Sequence, residues 1–450
     1  MGKQLFGTDG IRGIPGEYPL DDLTLERVGL ALGMHLRGED TRQTRVLIGR
    51  DTRESSAHIA ECIAGGLATA GTEAVSAGVL TTPGVAWLVH RDRFAAGVVI
   101  SASHNPYHDN GVKLISSSGT KFPDAVEAAL ENSILSKNGD SPPIKPARLT
   151  DDDSFHNDYL EGLRRAAFPG SKLAGMKVVL DCANGAASKL APMLFRSLGA
   201  DVIAFNDSPN GLNINAGCGS LHPSGLQEHV VAAGAELGVA FDGDADRAVF
   251  ASASGKLVDG DGVLLVAGRY LQSTKKLRGD AIVGTTMANL GLERALSATG
   301  LKLVRTAVGD RYVLEEMLRI GANLGGEQSG HILFLDDATT GDGMLTAVKV
   351  ASIVSIAGSL DRLVDDLKIF PQKIVNVRVQ SKPALESLPE VVRALHEAER
   401  ALGKSGRIVL RYSGTEPLAR VMVEAEQVED VVRWAQFLAK ALETSIGSQL

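Results

Sequence analysis

Three stretches of the chain share one order of apolar and polar positions. Each starts with an apolar, β-branched run and continues through a polar loop into about four turns of helical periodicity, and a glycine then leads into a second apolar run. The runs begin near residues 46, 178 and 281, and the glycines that follow the helices are Gly71, Gly199 and Gly300. Glycine suits a left-handed cap at a helix end, and strand, helix and strand in succession form a βαβ unit. The repeated pattern predicts three α/β domains rather than one large sheet.

Polar linkers and a change of pattern set the expected boundaries. Residues 136–154 are polar and contain three prolines, a second polar stretch covers 252–255, and the pattern changes after 370. Beyond it we predict strands at 374–379, 408–412 and 420–424 and helices at 388–402 and 428–442. The predicted domains are three similar α/β domains at residues 1–150, 151–253 and 254–370, and a smaller α+β domain at 371–450.

Composition and charge exclude several classes of protein. Of 450 residues, 44% are apolar but only 4% aromatic, so aliphatic side chains and alanine must fill the cores. The net charge of −8 argues against a nucleic-acid partner. No apolar run is long enough to span a membrane, and three scattered cysteines, at positions 62, 182 and 218, suit a reducing compartment. We expect a cytoplasmic protein with neither a nucleic-acid nor a membrane partner.

Two polar loops follow buried strands in the first half of the chain. Residues 101–106 (SASHNP) predict a rigid exposed turn that carries Ser103, although alone this could be an ordinary capped turn. A serine hydrolase is disfavoured because the G-x-S-x-G elbow is absent. In the second loop Asp242, Asp244 and Asp246 concentrate three carboxylates, which suits Mg²⁺. An EF-hand is excluded, because Arg247 stands where that loop requires glycine.

Two further polar loops lie in the second half. Residues 325–331 (GGEQSGH), preceded by 307–311, offer donors and acceptors of the kind that sugar hydroxyls require. Residues 411–417 (RYSGTEP) and Arg420 combine arginine forks with hydroxyl and backbone donors, which suits a phosphate group.

Five motifs, at residues 7–13, 101–106, 242–247, 326–331 and 411–417, occur in one order along the chain. With them the chain resembles the α-D-phosphohexomutase superfamily over essentially its full length. The forms of residues 7–13 and 326–331, and Asp310, are typical of its bacterial branch that acts on glucosamine phosphate. The resemblance implies four domains around a central cleft. It also implies interconversion of glucosamine 6-phosphate and glucosamine 1-phosphate through a 1,6-bisphosphate, on the route to the amino-sugar nucleotide of cell walls.

The resemblance also implies a role for each site residue. Ser103 would be a phosphoserine, and Mg²⁺ would be bound by Ser103, Asp242, Asp244 and Asp246. Lys113 and His331 would act as general base and acid. The groups expected to steady the transferring phosphoryl are Arg12, His104 and Arg247. The sugar would be bound by Gly309, Glu327 and Ser329. The second phosphate would be bound by Arg411, Ser413, Gly414, Thr415 and Arg420.

Other functions remain open at this point. A phosphomannomutase/phosphoglucomutase would share the chemistry with a different sugar. A phosphatase of the aspartyl-phosphate type would use Asp242 as nucleophile, and a non-catalytic sugar-phosphate sensor would need no phosphorylatable serine. A homodimer is compatible with the sequence.

Overall fold

The computed structural model describes residues 5–7, 9–37, 44–136, 145–413 and 417–447. Within these residues the strands form four separate sheets, two of five strands, one of four and one of three. The predicted fold class, three α/β domains followed by a smaller α+β domain, is confirmed. The domain boundaries themselves stay predictions.

The first sheet has the strand order β1-β5-β4-β2-β3. Its strand β2 is parallel to β3 and β4, whereas β5 runs antiparallel to β4 and β1. The strands are β1 (Ile11–Gly13), β2 (Arg45–Arg50), β3 (Glu73–Val79), β4 (Ala96–Ile100) and β5 (Asn110–Ser116). The helices are α1 (Asp22–Arg37), α2 (Ser56–Thr69), α3 (Thr82–Arg91) and α4 (Asp124–Leu135). The strand β4 is buried along its whole length, as its continuous apolar run predicts for a strand covered on both faces of a sheet.

The second sheet repeats this plan with the order β10-β9-β8-β6-β7. Its strands are β6 (Lys177–Asp181), β7 (Asp201–Phe205), β8 (Leu237–Phe241), β9 (Ala248–Ser252) and β10 (Leu257–Val258), and its helices are α5 (Ser154–Arg165), α6 (Ala187–Ser197) and α7 (Ser224–Ala233). The boundary predicted at 253/254 falls in the turn between β9 and β10, two strands that pair antiparallel. The second sheet therefore continues to Val258.

The third sheet has four strands in the order β12-β11-β13-β14. They are β11 (Ala281–Thr285), β12 (Lys302–Thr306), β13 (Leu324–Gly326) and β14 (Ile332–Phe334). The accompanying helices are α8 (Gly260–Ser273), α9 (Leu290–Ser297), α10 (Asp310–Ile320), α11 (Gly343–Ala357) and α12 (Leu360–Leu363). One continuous hydrophobic core joins this domain to the second and to part of the first, so the three α/β domains pack as one body.

The fourth sheet is antiparallel, with the order β15-β17-β16. Its strands are β15 (Gln372–Arg378), β16 (Gly406–Tyr412) and β17 (Leu418–Ala425), and the helices α13 (Pro389–Leu402) and α14 (Val428–Ile446) contribute to its core. That core is separate from those of the other domains.

One feature of the first three sheets decides where the polar loops lie. In each sheet a strand parallel to its neighbour is followed by an antiparallel partner, and the chemistry-bearing loop joins the two. The pairs are β4 with β5, β8 with β9, and β13 with β14. Residues 101–109, 242–247 and 327–331 therefore occupy equivalent positions in three domains.

Candidate active site

Ser103 lies in the loop that follows β4, where its backbone has a left-handed φ of 52°. The loop is fixed locally, since the Ser101 hydroxyl accepts a hydrogen bond from the Ser103 N–H at 2.9 Å and donates to Asp51 at 2.7 Å. The prediction that Ser103 sits on an exposed turn is wrong, because only 1% of this residue is accessible. The second domain covers it: Asn215 donates to the Ser103 carbonyl, and the Ser103 hydroxyl donates to Asp242 Oδ2 at 2.7 Å.

Arg53, which the motifs did not identify, binds the backbone of the Ser103 loop. Its guanidinium is fully buried and donates to the carbonyls of Ser103, Asn105, Pro106 and Asp109. Its Nε is 2.8 Å from Asp51 Oδ2, so its charge is balanced by a buried carboxylate. Four carbonyls aimed at one planar cation fix the path of the backbone through the Ser103 turn. The sequence carried a hint, because Asp51 and Arg53 are charged residues directly after a buried strand.

We expect Arg53→Lys to lower kcat by about 10- to 100-fold with little change in KM. An ammonium keeps the charge but cannot reach four carbonyls in one plane, so the Ser103 hydroxyl would drift from its position. Steady-state kinetics and thermal unfolding on the same preparation would check it. Lys at the exposed Arg91 is the matched control and should leave kcat unchanged. An unchanged kcat in folded Arg53→Lys would contradict the positioning role.

The three aspartates of the second loop form the cluster that the sequence predicted. Oxygens of Asp242, Asp244 and Asp246 lie within 4.8 Å of one another, in a loop made tight by a positive φ of 56° at Ala245. Burial and the charges of Asp246 and Asp244 raise the pKa of Asp242 well above its ordinary value. Oδ1 of Asp244 and Oδ1 of Asp246 are buried and find no hydrogen-bond partner among the described residues. Converging carboxylates with unsatisfied buried oxygens fit a hard divalent cation.

Lys113 reaches the same cluster from β5. Its Nζ lies 2.8 Å from Asp244 Oδ2, 3.6 Å from Asp246 Oδ2 and 3.3 Å from Asp9 Oδ2. Burial alone would lower the pKa of Lys113, but Asp244, Asp9 and Asp246 outweigh it and hold the pKa well above its ordinary value. The same ammonium helps to lower the pKa of Asp244 to about 2, against the effect of burial.

Three further predicted residues lie near the Ser103 loop and the aspartate cluster. His104 Nδ1 is 3.3 Å from Ser103 Oγ, and burial together with Arg247 and Arg12 lowers the pKa of His104. Arg12 donates to Asp9 at 2.6 Å and to Asn105 at 3.4 Å. The Arg247 backbone N–H donates to Asp242 Oδ1 at 3.2 Å. The charges of Arg12 and Arg247 both act on the His104 imidazole, which lies next to the Ser103 hydroxyl.

The loop at residues 327–331 interacts electrostatically with the residues around the aspartate cluster. Glu327 accepts a hydrogen bond from the Gly309 N–H at 3.1 Å, so two predicted sugar-binding residues are neighbours. The Glu327 carboxylate also helps, with Asp246 and Asp242, to raise the pKa of Arg247 against the effect of burial. Ser329 is exposed at the loop tip.

A chain of ion pairs links the first domain to Asp310 of the third domain, on which the charge of His331 also acts. Lys121 Nζ bridges Asp9 Oδ1 at 2.7 Å and Asp310 Oδ2 at 2.8 Å. Lys121 and His331 both help to lower the pKa of Asp310, although burial opposes them. The His331 ring is buried, and its Nδ1 has no hydrogen-bond partner among the described residues.

The fourth-domain residues form a separate group. Arg411 and Arg420 are paired across β16 and β17 and line a pocket of about 460 Å³ with Met287 of the third domain. Burial and the nearby Arg420 lower the pKa of Arg411, as expected for two cations that lie side by side. The Ser413 N–H is already used, donating to the Leu418 carbonyl at 2.8 Å. Gly414 and Thr415 lie outside the described residues.

Comparison with known proteins agrees with this architecture. Four family models match in chain order, described as phosphoglucomutase/phosphomannomutase domain I at residues 3–139, domain II at 157–255, domain III at 259–370 and the C-terminal domain at 374–441. A crystal structure of a phosphoglucomutase/phosphomannomutase family protein from Burkholderia thailandensis superposes with a TM-score of 0.79 over 99% of this chain and 98% of that one, at 23% identity. Fold and site thus define a phosphohexomutase, and the chain belongs to the phosphoglucomutase/phosphomannomutase family.

Relatives that match over their full length indicate which branch of the family the chain resembles most. The phosphoglucosamine mutase of Solibacter usitatus (strain Ellin6076) is 51% identical over 99% of this chain and 100% of its own length. That of Koribacter versatilis (strain Ellin345) is 49% identical over 99% of this chain and 98% of its own. The resemblance predicted from the five motifs is confirmed, and the protein is an isomerase. In the described parts of the chain, none of the helices combines the length and the apolar character that crossing a bilayer requires.

Proposed function

We propose that the enzyme is a phosphoglucosamine mutase, which interconverts glucosamine 6-phosphate and glucosamine 1-phosphate through a phosphorylated Ser103. The observation that carries the proposal is the Ser103 hydroxyl, 2.7 Å from Asp242 in a buried carboxylate cluster and beside Arg12, His104 and Arg247. The glucosamine substrate is supported by the two full-length relatives. We place the reaction in the cytoplasm, on the route to the amino-sugar nucleotide of cell walls, and three free buried cysteines suit that reducing compartment. A homodimer stays a prediction.

The reaction consists of two phosphoryl transfers. In the first, a sugar hydroxyl attacks the phosphorus on Ser103, a new P–O bond to the sugar forms, and the P–Oγ bond breaks. The product is a 1,6-bisphosphate, which turns over in the cleft so that its other phosphate faces Ser103. The reverse transfer then restores phosphoserine. Ser103 must therefore be phosphorylated before the first turnover.

Mg²⁺ is the cation we propose for the aspartate cluster. Asp242, Asp244 and Asp246, with a phosphate oxygen on Ser103, would bind it. When bound, it would supply the charge neutralisation on the transferring phosphoryl that such transfers require.

The surrounding residues have separate tasks in this scheme. Arg12, His104 and Arg247 orient and neutralise the phosphoryl from the protein side. Lys113 and His331 are assigned to the protons: one group takes the proton of the attacking hydroxyl, and one returns a proton to the leaving Ser103 oxygen. Lys113 contacts Asp9 at one end of the Asp9–Lys121–Asp310 chain, and the charge of His331 acts on Asp310 at the other end.

Residues of the third and fourth domains are assigned to the sugar and to the second phosphate. Glu327 and Ser329, with the Gly309 backbone, are assigned to the sugar hydroxyls. Arg411, Arg420 and Ser413, with Gly414 and Thr415, are assigned to the phosphate that is not being transferred. One fixed phosphate site can serve both orientations of the bisphosphate, because each orientation presents a phosphate to it.

Arg411→Ala is expected to lower kcat/KM by about 10- to 150-fold, the equivalent of roughly 1.5–3 kcal/mol for a charge-assisted contact. Its phosphate is bound in ground and transition states alike, so KM should rise more than kcat falls. Lysine should restore only part of the loss, since an ammonium cannot form the planar fork. Both constants should be measured for Arg411→Ala and His331→Ala. A fall in kcat with an unchanged KM would place Arg411 among the groups that act on the transferring phosphoryl.

The substrate assignment is tested by comparing kcat/KM for glucosamine, glucose and mannose 6-phosphates on the phosphorylated enzyme. We expect glucosamine 6-phosphate to be preferred by about tenfold or more, because a site arranged to bind the 2-amino group makes poorer contacts with the 2-hydroxyl group that replaces it in glucose and mannose. Equal or higher values for glucose or mannose would assign the enzyme to the phosphoglucomutase/phosphomannomutase activity instead. Peptide mapping of the phosphoenzyme should place the phosphate on Ser103; phosphate on Asp242 would indicate a phosphatase.

A further inference from the structure

A second group of metal-ligating side chains lies on the helices α1 and α2, away from the residues assigned to catalysis. The ligand atoms of Asp22, His58 and Cys62 all lie within 4.8 Å of one another. His58 Nε2 is 2.8 Å from Asp22 Oδ1 and 3.6 Å from Cys62 Sγ. Cys62 is fully buried, whereas Asp22 and His58 face solvent, so the group opens to the surface on one side.

The sequence places these side chains together for simple geometric reasons. His58 and Cys62 are four residues apart on α2, so they share one face of the helix. The helix α1 approaches that face closely because glycines line the contact. A Cβ atom at Gly29 would lie 2.1 Å from the Ile63 carbonyl oxygen, and one at Gly66 would lie 2.1 Å from that of Glu26. Asp22, in the first turn of α1, thereby reaches His58.

The charges around the thiol also favour a cation. Burial, followed by the carboxylates of Asp22, Glu26 and Glu61, raises the pKa of Cys62 to about 12. The charged groups with the largest effects on this thiol are therefore all carboxylates. The field that opposes a bare thiolate would stabilise a divalent cation bound to it. Burial and Asp22 likewise raise the pKa of Glu26, one turn further along α1.

Both the donor set and the spacing suit zinc. Thiolate, imidazole and carboxylate together suit zinc better than magnesium or calcium. In a tetrahedral zinc site, ordinary Zn–S and Zn–N bonds place sulfur and nitrogen roughly 3.6 Å apart. The separation of Cys62 Sγ and His58 Nε2 is 3.6 Å. The Asp22–His58 hydrogen bond, at 2.8 Å, would have to open by about half an ångström.

We infer that Asp22, His58 and Cys62 bind a zinc ion that fastens the start of α1 to α2. Binding releases the Cys62 thiol proton to solvent and replaces the Asp22–His58 hydrogen bond with two metal bonds. Glu26 or a water molecule supplies the fourth ligand. The inference is independent of the proposed function, since none of these residues touches the group around Ser103.

Cobalt titration of the metal-free, reduced, full-length protein tests the site, because cobalt–thiolate bonds give a near-ultraviolet charge-transfer band. The aspartate cluster cannot produce such a band, since it contains no sulfur. We expect the band to saturate at one equivalent and to disappear when Zn²⁺ is added. Cys62→Ser should abolish it, and His58→Gln should weaken cobalt binding by at least about tenfold. Cys218→Ser, which removes another buried cysteine, is the matched control and should retain it.

The zinc affinity of the same variants completes the test. It should be measured in proteins that also carry Asp244→Asn, because that change weakens metal binding by the aspartate cluster. Cys62→Ser and His58→Gln should each lower the affinity for zinc. When Asp244 is left unchanged, each variant should keep mutase activity at the wild-type level. Absence of the cobalt band in the wild type, or a band that survives Cys62→Ser, would overturn the site. So would zinc binding that only the aspartate substitutions reduce.

Discussion

Ser103→Ala is expected to abolish sustained turnover, with a fall in kcat on the order of 10⁴-fold or more. In the proposed mechanism the Ser103 oxygen forms a covalent bond to phosphorus in every cycle, and no neighbouring group can substitute for it. His104, at 3.3 Å, and Asp242, at 2.7 Å, are positioned around the hydroxyl rather than in its place. Activity should be measured on purified, folded protein supplied with the 1,6-bisphosphate.

The fold should survive this change even though the side chain is buried. Alanine removes one hydroxyl that donates to Asp242, a loss of about 1 kcal/mol in the free energy of unfolding. Serine already adopts the left-handed backbone at this position, so alanine adds little new strain. Circular dichroism and thermal unfolding would verify the fold.

Ser101→Ala is the matched control in the same loop. Its hydroxyl accepts a hydrogen bond from the Ser103 N–H and donates one to Asp51, but it carries no phosphoryl in the proposed scheme. We expect reduced activity, with the mass of one phosphoryl group still gained after incubation with the bisphosphate. Ser103→Ala should gain none. Turnover of Ser103→Ala near the wild-type rate would exclude the phosphoserine mechanism, whereas a small residual rate with bisphosphate as donor would not.

Periodicity and local turn chemistry predicted most of the fold. The helix predicted at 388–402 is observed as Pro389–Leu402, and the strand predicted at 374–379 as Gln372–Arg378. Short-range rules suffice there, because apolar spacing and a following glycine act within one element. The prediction placed the second boundary inside a hairpin, because residues 252–255 have the composition of a linker and of a turn alike.

The burial of Ser103 could not be read from its neighbours in the chain. Its turn has the polar composition of a solvent-exposed loop, and local rules assign it to the surface. It is covered by Asn215 and Asp242, both more than 100 residues away, whose approach depends on how two domains pack. The five motifs identified which residues meet, but not that they meet away from solvent.

Arg53 and the Lys121 bridge escaped prediction for a related reason. A lone arginine or lysine is usually a solvated surface residue, and only the completed fold shows that Arg53 donates to four carbonyls. The equivalence of the three hairpin loops was also hidden, because β4–β5, β8–β9 and β13–β14 share a topology and not a sequence. That topology explains how three domains present their polar loops to one cleft.

Asp244→Asn is expected to weaken Mg²⁺ binding and to lower kcat by about 10²- to 10³-fold, comparable to removing one electrostatic group from a preorganised site. The carboxylate is ionised in the folded protein, since its pKa is lowered to about 2. The amide keeps the shape but removes one of three charges that face the cation, and it leaves the Lys113 ammonium with less compensation. Removing Mg²⁺ with EDTA should inactivate the wild type, and added Mg²⁺ should restore it.

The Asp244→Asn variant should also reveal whether Asp244 acts by binding the cation or only by pairing with Lys113. If it acts through the cation, raising the Mg²⁺ concentration should recover part of the lost rate in Asp244→Asn, because weaker binding is offset by mass action. If Asp244 served only to hold Lys113, excess Mg²⁺ would change nothing. Asp366→Asn, which alters an exposed carboxylate paired with Arg269, is the control and should match the wild type in rate and in Mg²⁺ dependence. Full activity of the wild type in excess EDTA would contradict the metal assignment, and the three aspartates would then have to act as an anionic partner of Lys113 alone.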